Sequence, residues 1–361
     1  MKLETELEKL LIKYKGRRRL MERPFLTYPY MNSENNFNAH HYLIFCCDVL
    51  GSILKYADDK KLGQVTMKFV TDDDMEKFNC SDKGNHEWID WLAANGYENH
   101  VNDMFYRHVL FSAIKDFQSF MFESVTCAGK MKMSVAYALL RRPFKDALGI
   151  IEWLAVDKDA VIQNLEAENP FDLEITRERA KELTDKVQRK YGLNPQYDLR
   201  YKNKDTSTRF ELIWDKALHM ITTRASPSGK GELNFLFAGE KKLAELSDWY
   251  YKVAPLVMHY AVELIVELFE SIAKPNEVTV GINYLNRMAH LNLIAPILTD
   301  SLVKEVETLL FCPQCGEQNE YKNRDIASHL QCGVLSCPKC KAEVDTRFYI
   351  TEYESIKAVV E

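Results

Sequence analysis

Two closely spaced cysteine pairs near the C-terminal end have the residue types and spacing to bind a metal. Cys312-Pro-Gln-Cys315-Gly is followed, after twenty-one intervening residues, by Cys337-Pro-Lys-Cys340. A C-x-x-C pair sits on a tight turn that aims both sulfurs at one point, and two such pairs make a tetrahedral thiolate site for zinc. The prolines inside the pairs and Gly316 after the first suit such turns. A site closed by Cys312, Cys315, Cys337 and Cys340 leaves no open coordination position, so its zinc is structural: it holds a small ribbon together and activates no water. Cys332 and His329 lie between the pairs and are alternative ligands that could replace one of the four.

Other candidate chemistry is sparser. His259, Glu263 and Glu267 recur every fourth residue and share one helix face, a spacing able to hold a metal or an acid–base pair. Lys252 and Glu270 extend the same stripe, which reads as a narrow solvated face. Asp215 and His219 form a second pair four residues apart. Ser226-Pro-Ser-Gly-Lys-Gly231 lacks the spacing of a nucleotide-binding phosphate loop and reads as a plain loop.

Charge points to a different activity. The net charge is −6, yet residues 9–24 carry a surplus of six positive charges and residues 186–204 a surplus of five. The second island holds Lys186, Arg189, Lys190, Arg200 and Lys202, interleaved with Tyr191, Tyr197 and Tyr201. Basic side chains neutralise phosphates and aromatic rings stack on unpaired bases, so these residues are the candidate nucleic-acid contacts; a solvated helix end is the competing reading. The ribbon stretch, by contrast, is charge-neutral, which suits a protein-docking module equally well.

The elements that must position these groups are mainly helices. Apolar residues at three- and four-residue steps predict helices over 3–15, Asn38 to Tyr56, His86 to Ala94, 99–128, 131–156, Asn169 to Tyr191, 209–224, 239–273 and 283–310. In the 131–156 helix, Tyr137, Leu140, Phe144, Ala147, Ile151 and Leu154 define one buried face, Pro143 demands a kink or break, and Arg142 is placed to pair with Asp146. The helix ending at Tyr191 has a thin apolar stripe of Ala180, Leu183 and Val187 and is expected at the surface. Alternation at Val65, Met67 and Phe69 predicts a short strand, and Val278, Val280 and Ile282 make a short alternating segment that joins the last two helices. Asp72-Asp73-Asp74 reads as the acidic first turn of a helix.

Residues 99–160, with the segment Leu139-Leu-Arg-Arg-Pro-Phe-Lys-Asp-Ala-Leu148, resemble the helical bodies of HEPN-type and abortive-infection-like bacterial proteins. The resemblance implies metal-independent RNA cleavage by an Arg and a His four residues apart in between, the His as acid–base catalyst and the Arg on phosphate. Arg324-Asp-Ile-Ala-Ser-His329 has that spacing but lies between the cysteine pairs. Arg287-Met-Ala-His290 lies on a bundle helix with a spacing two residues shorter.

Length and composition complete the expectation. The 361 residues divide into an N-terminal helical region (1–95), a main helical body (96–310) with a surface linker near 192–205, the zinc ribbon (311–349) and a tail (350–361). The five remaining cysteines are scattered and odd in number, as in a reducing compartment. The longest apolar stretch, 253–272, contains His259, Glu263, Glu267 and Glu270, so no membrane span is expected and the location is cytoplasmic. The sequence therefore leads to a mainly α protein with minor strands and a C-terminal zinc ribbon, binding RNA or DNA or a protein partner, in bacterial defence or regulation. An RNA-cleaving enzyme and a structural adaptor docking through its ribbon are the alternatives.

Overall fold

The computed structural model describes residues 34–80, 87–166, 173–193, 200, 213–214, 217–218, 221–222, 232–233, 239–291, 294, 315, 334–337, 339–345 and 349. Helix accounts for 83% of this described part, which settles the class as mainly α. The helices are α1 (Glu34–Asp59), α2 (Asp72–Cys80), α3 (Glu87–Leu92), α4 (Glu98–Gly129), α5 (Met133–Arg141), α6 (Leu148–Val156), α7 (Lys158–Glu166), α8 (Arg177–Tyr191), α9 (Glu240–Ala273) and α10 (Glu277–Leu291). Two antiparallel two-stranded ribbons accompany them: β1 (Ile221–Thr222) with β2 (Glu232–Leu233), and β3 (Val334–Ser336) with β4 (Glu343–Asp345).

The long helices α1, α4 and α9 form the frame, with α1 packed between α4 and α9. The face expected from Tyr137 to Leu154 is the buried one, and it closes against Phe117 and Met121 of α4 and Tyr250 of α9. Pro143 lies in a wide π-helical turn, Arg142–Ala147, that joins α5 to α6. A proline lacks the N–H and crowds the preceding turn, so the helix widens there but does not end. Arg142 does not take Asp146; it pairs with Asp116 on α4 and lies over the Phe120 ring, while Arg141 reaches Asp146 at 3.6 Å.

Several expected elements take another form. Val65, Met67 and Phe69 are not a strand. With no neighbouring strand among the described residues to complete a ladder, the segment is irregular, and Met67 and Phe69 pack on Leu92, Tyr97 and Val101. The alternating segment at 278–282 is the first turn of α10, because the Asn276 side chain caps it by accepting from Thr279 N at 2.8 Å. The helix α8 begins at Arg177 and not at Asn169. Thr176 is its N-cap, accepting from Arg179 N, and Gly192 closes it in the left-handed conformation. Ile221–Thr222, expected at a helix end, instead pairs antiparallel with Glu232–Leu233. The aspartates 72–74 do form the first turn of α2, with Thr71 Oγ1 accepting from Asp74 N. The expected helix over 3–15, the basic stretch 9–24, the tail 350–361 and most of 292–310 lie outside the described residues.

Candidate metal centre, cleft and nucleic-acid interface

The strands β3 and β4 form a hairpin with Val334 opposite Asp345 and Ser336 opposite Glu343. Its turn carries Cys337 and Cys340. Cys337 N donates to Ala342 O at 2.8 Å, Lys341 N donates back to Cys337 O at 3.0 Å, and Lys341 adopts φ +64, which tightens the loop. Cys340 N points at Cys337 Sγ, 3.5 Å away. This amide–sulfur contact holds the pair in one tight turn.

Cys315 completes a group of three with Cys337 and Cys340, all sulfurs within 4.8 Å of one another. Cys315 Sγ stands 3.8 Å from Cys337 Sγ. Ligands about 2.3 Å from a tetrahedral zinc stand ~3.8 Å apart, so the Cys315–Cys337 separation suits that ion and is far too long for a disulfide. Cys315, Cys337 and Cys340 could hold a metal ion. Cys312, Cys332 and His329 lie outside the described residues.

The ribbon is tied to the helical body just beyond β4. Tyr349 is 5% exposed. Its N–H donates to Ser52 Oγ of α1 at 3.0 Å, its hydroxyl donates to Glu270 Oε1 of α9 at 2.6 Å, and its ring meets Phe269 edge-on.

The stripe on α9 is a solvated face only in part: Lys252 and Glu267 are exposed, but its middle is enclosed. His259 is buried and its Nδ1 shares a 2.9 Å hydrogen bond with the Tyr42 hydroxyl. Glu263 is clasped by Arg287 of α10, through Nε at 2.5 Å and Nη2 at 3.1 Å. Burial alone would raise the Glu263 carboxyl, but the Arg287 charge and hydrogen bonds bring it below its ordinary range, so it is ionised. Burial holds His259 below the ordinary imidazole value, hence neutral. Together with Glu267, Glu270, Tyr191 and Tyr284 these residues line a cleft of about 550 Å³ between the end of α8, α9 and α10. This cleft was hidden in the sequence because Arg287, which turns the stripe into a buried ion pair, sits 24 residues further on.

The candidate nucleic-acid residues separate. Lys186 is exposed on α8 and paired with Glu182 at 2.6 Å; Arg189 is exposed with its Nε on Asp185 O. Lys190 donates to Ala155 O at 2.7 Å while remaining partly open. Arg200 has no exposure at all. Its guanidinium reaches Glu152 Oε1 at 2.5 Å and Phe144 O at 2.8 Å, and Thr184 and Tyr260 donate to the same Glu152 oxygen. Arg200 is thus the counter-ion of a buried carboxylate, and that environment removes it from any phosphate-binding surface. Lys202, Asp215 and His219 lie outside the described residues.

Of the expected cleavage pairs, Arg324 and His329 lie outside the described residues. His290 is buried, stacked on Phe45 at 3.6 Å with its Nδ1 on Asn286 O, and burial lowers it to about 4. Its partner Arg287 is engaged with Glu263. Among the described residues no helix is long and apolar enough to cross a membrane. No family model matches this chain, and no curated protein or solved structure is significantly similar to it.

Proposed function

We propose that this chain is a zinc-containing binding protein: a helical body carrying a C-terminal ribbon closed by Cys312, Cys315, Cys337 and Cys340, and contacting nucleic acid through Lys186, Arg189 and Lys190 on α8. The observation that supports the zinc is the convergence of three thiols within 4.8 Å of one another, two on a hairpin turn and the third, Cys315, brought to it at 3.8 Å from Cys337. The metal here is structural. Its thiolates fix a hairpin too small to bury a core of its own, and the chain beyond β4 carries that order to the body through Tyr349. The nucleic-acid reading is supported by the exposed basic end of α8, from which Arg200 is now subtracted.

Gel retention of labelled single-stranded RNA and DNA at low and physiological salt tests it. Neutralising Lys186, Arg189 and Lys190 together to Gln is expected to weaken retention and to lower the salt slope by two to three ions, at roughly one per phosphate contact. Unchanged retention would remove α8 from the interface. Absence of any retention, with a protein that co-purifies in fixed ratio, would favour the adaptor reading, for which the charge-neutral ribbon is the supporting observation.

A further inference from the structure

The described cysteines differ in how readily an oxidant reaches them. Cys46 and Cys47 of α1 are enclosed in the core, and burial pushes both thiols well above their ordinary value. They are protonated and shielded, hence unreactive. Cys315 and Cys340 of the ribbon are exposed, while Cys337 between them is buried. Cys340 is flanked in the chain by Lys339 and Lys341, both exposed. Bound metal and neighbouring positive charge both favour the thiolate, which is the form that oxidants attack.

The spacing of the sulfurs supplies the second observation. Cys315 Sγ stands 3.8 Å from Cys337 Sγ, and a disulfide needs about 2 Å. Cys337 is fixed in its turn by the hydrogen bonds of its backbone to Ala342 and Lys341, so the short remaining approach falls to the exposed Cys315. An accessible sulfur with a second one in reach is the arrangement in which a sulfenic acid is captured as a disulfide and does not oxidise further.

We propose that the cysteine cluster is a site of reversible oxidation by peroxides, in which Cys315 and Cys337 join as a disulfide and the metal is released. The Cys315 thiolate attacks one peroxide oxygen, the O–O bond breaks and hydroxide leaves, which gives the sulfenic acid. The Cys337 thiolate then attacks that sulfur, the S–S bond forms and the sulfenic oxygen leaves as a second hydroxide. Two thiolates lose two electrons in total and one hydrogen peroxide takes them up. A disulfide is no longer a thiolate ligand, so Cys340 alone of the described three still offers one, and zinc departs. The release of metal rests on the zinc reading above; the disulfide rests on the sulfurs alone.

Hydrogen peroxide added to the full-length protein tests this, with zinc followed by a chromogenic chelator and disulfides mapped by mass spectrometry of the digested, alkylated chain. The expected result is loss of the whole bound equivalent of zinc in step with a Cys315–Cys337 disulfide, while Cys46 and Cys47 stay alkylated as thiols. Dithiothreitol with added zinc should restore the starting metal content. Zinc retained under peroxide with all three thiols still reduced would overturn the proposal, and so would a disulfide that joins any other pair. A protein that carries no zinc before peroxide is added would refute the metal reading by itself; the disulfide map of that same sample would still support or overturn the oxidation site.

Discussion

Buried imidazoles set the acid limit of this fold. His40, packed on Tyr251, is lowered to about 3 by burial and by the neighbouring His41, and His290, stacked on Phe45, is lowered to about 4 by burial. Both are neutral in the folded protein, whereas in the unfolded chain they titrate near 6.5. As pH falls below 6.5 the unfolded chain takes up protons that the folded one refuses. Stability is therefore intact above 6.5 and declines as pH falls, down to about 4 for His290 and about 3 for His40. His290 alone accounts for roughly 3 kcal/mol over that window. Urea unfolding at pH 7.5, 6 and 5 should show a falling midpoint, and His290→Gln should flatten part of the slope; a midpoint constant across the window would contradict the neutral assignment. At this scale the sequence revealed residue types but not their settings. Arg200 read as one more cation of a basic island, because its counter-ion Glu152 lies 48 residues earlier and nothing local marks a carboxylate as buried. Such a pair, once enclosed, is hard to break: removing one partner strands a charge in the core.

At the scale of elements, periodicity was a good guide wherever one helix face packs on another. The face from Tyr137 to Leu154 was legible for that reason, and so was the disturbance at Pro143. Two-residue alternation was not. Residues 65–69 and 278–282 alternate, but a strand exists only beside another strand, and a side-chain cap such as Asn276 decides for helix when none is present. Close approach between elements was equally silent. Gly149 of α6 lies where the chain leading into α8 passes, and a Cβ there would stand 2.7 Å from Ile175 Cγ2 and 2.8 Å from its Cγ1. Both are buried, so neither side can give way into solvent. Gly149→Ala should therefore destabilise the protein by about 1–2 kcal/mol, the strain of overpacking less the helix preference of alanine. Chemical denaturation measures it; an unchanged or raised stability would mean that Ile175 repacks freely.

For the molecule as a whole, the chief relation is between the ribbon and the helical body. Spacing alone identified the cysteine pairs, because two C-x-x-C turns at that separation have little other use in a chain without a disulfide pattern. Spacing could not show that Tyr349, the last residue of the ribbon stretch, is anchored on α1 and α9 and donates to Glu270, a wall of the cleft. The proposed metal would therefore be a joint of the fold and not an ornament at its end. Zinc content per chain, measured by elemental analysis of the purified protein and of Cys340→Ser, tests this most directly. One zinc per chain in the wild type, and loss of nearly all of it in the variant with opening of the C-terminal fifty residues to protease, is the expected result. A variant that keeps a full equivalent of zinc, or a wild type that carries none, would contradict the thiolate site on which the account rests.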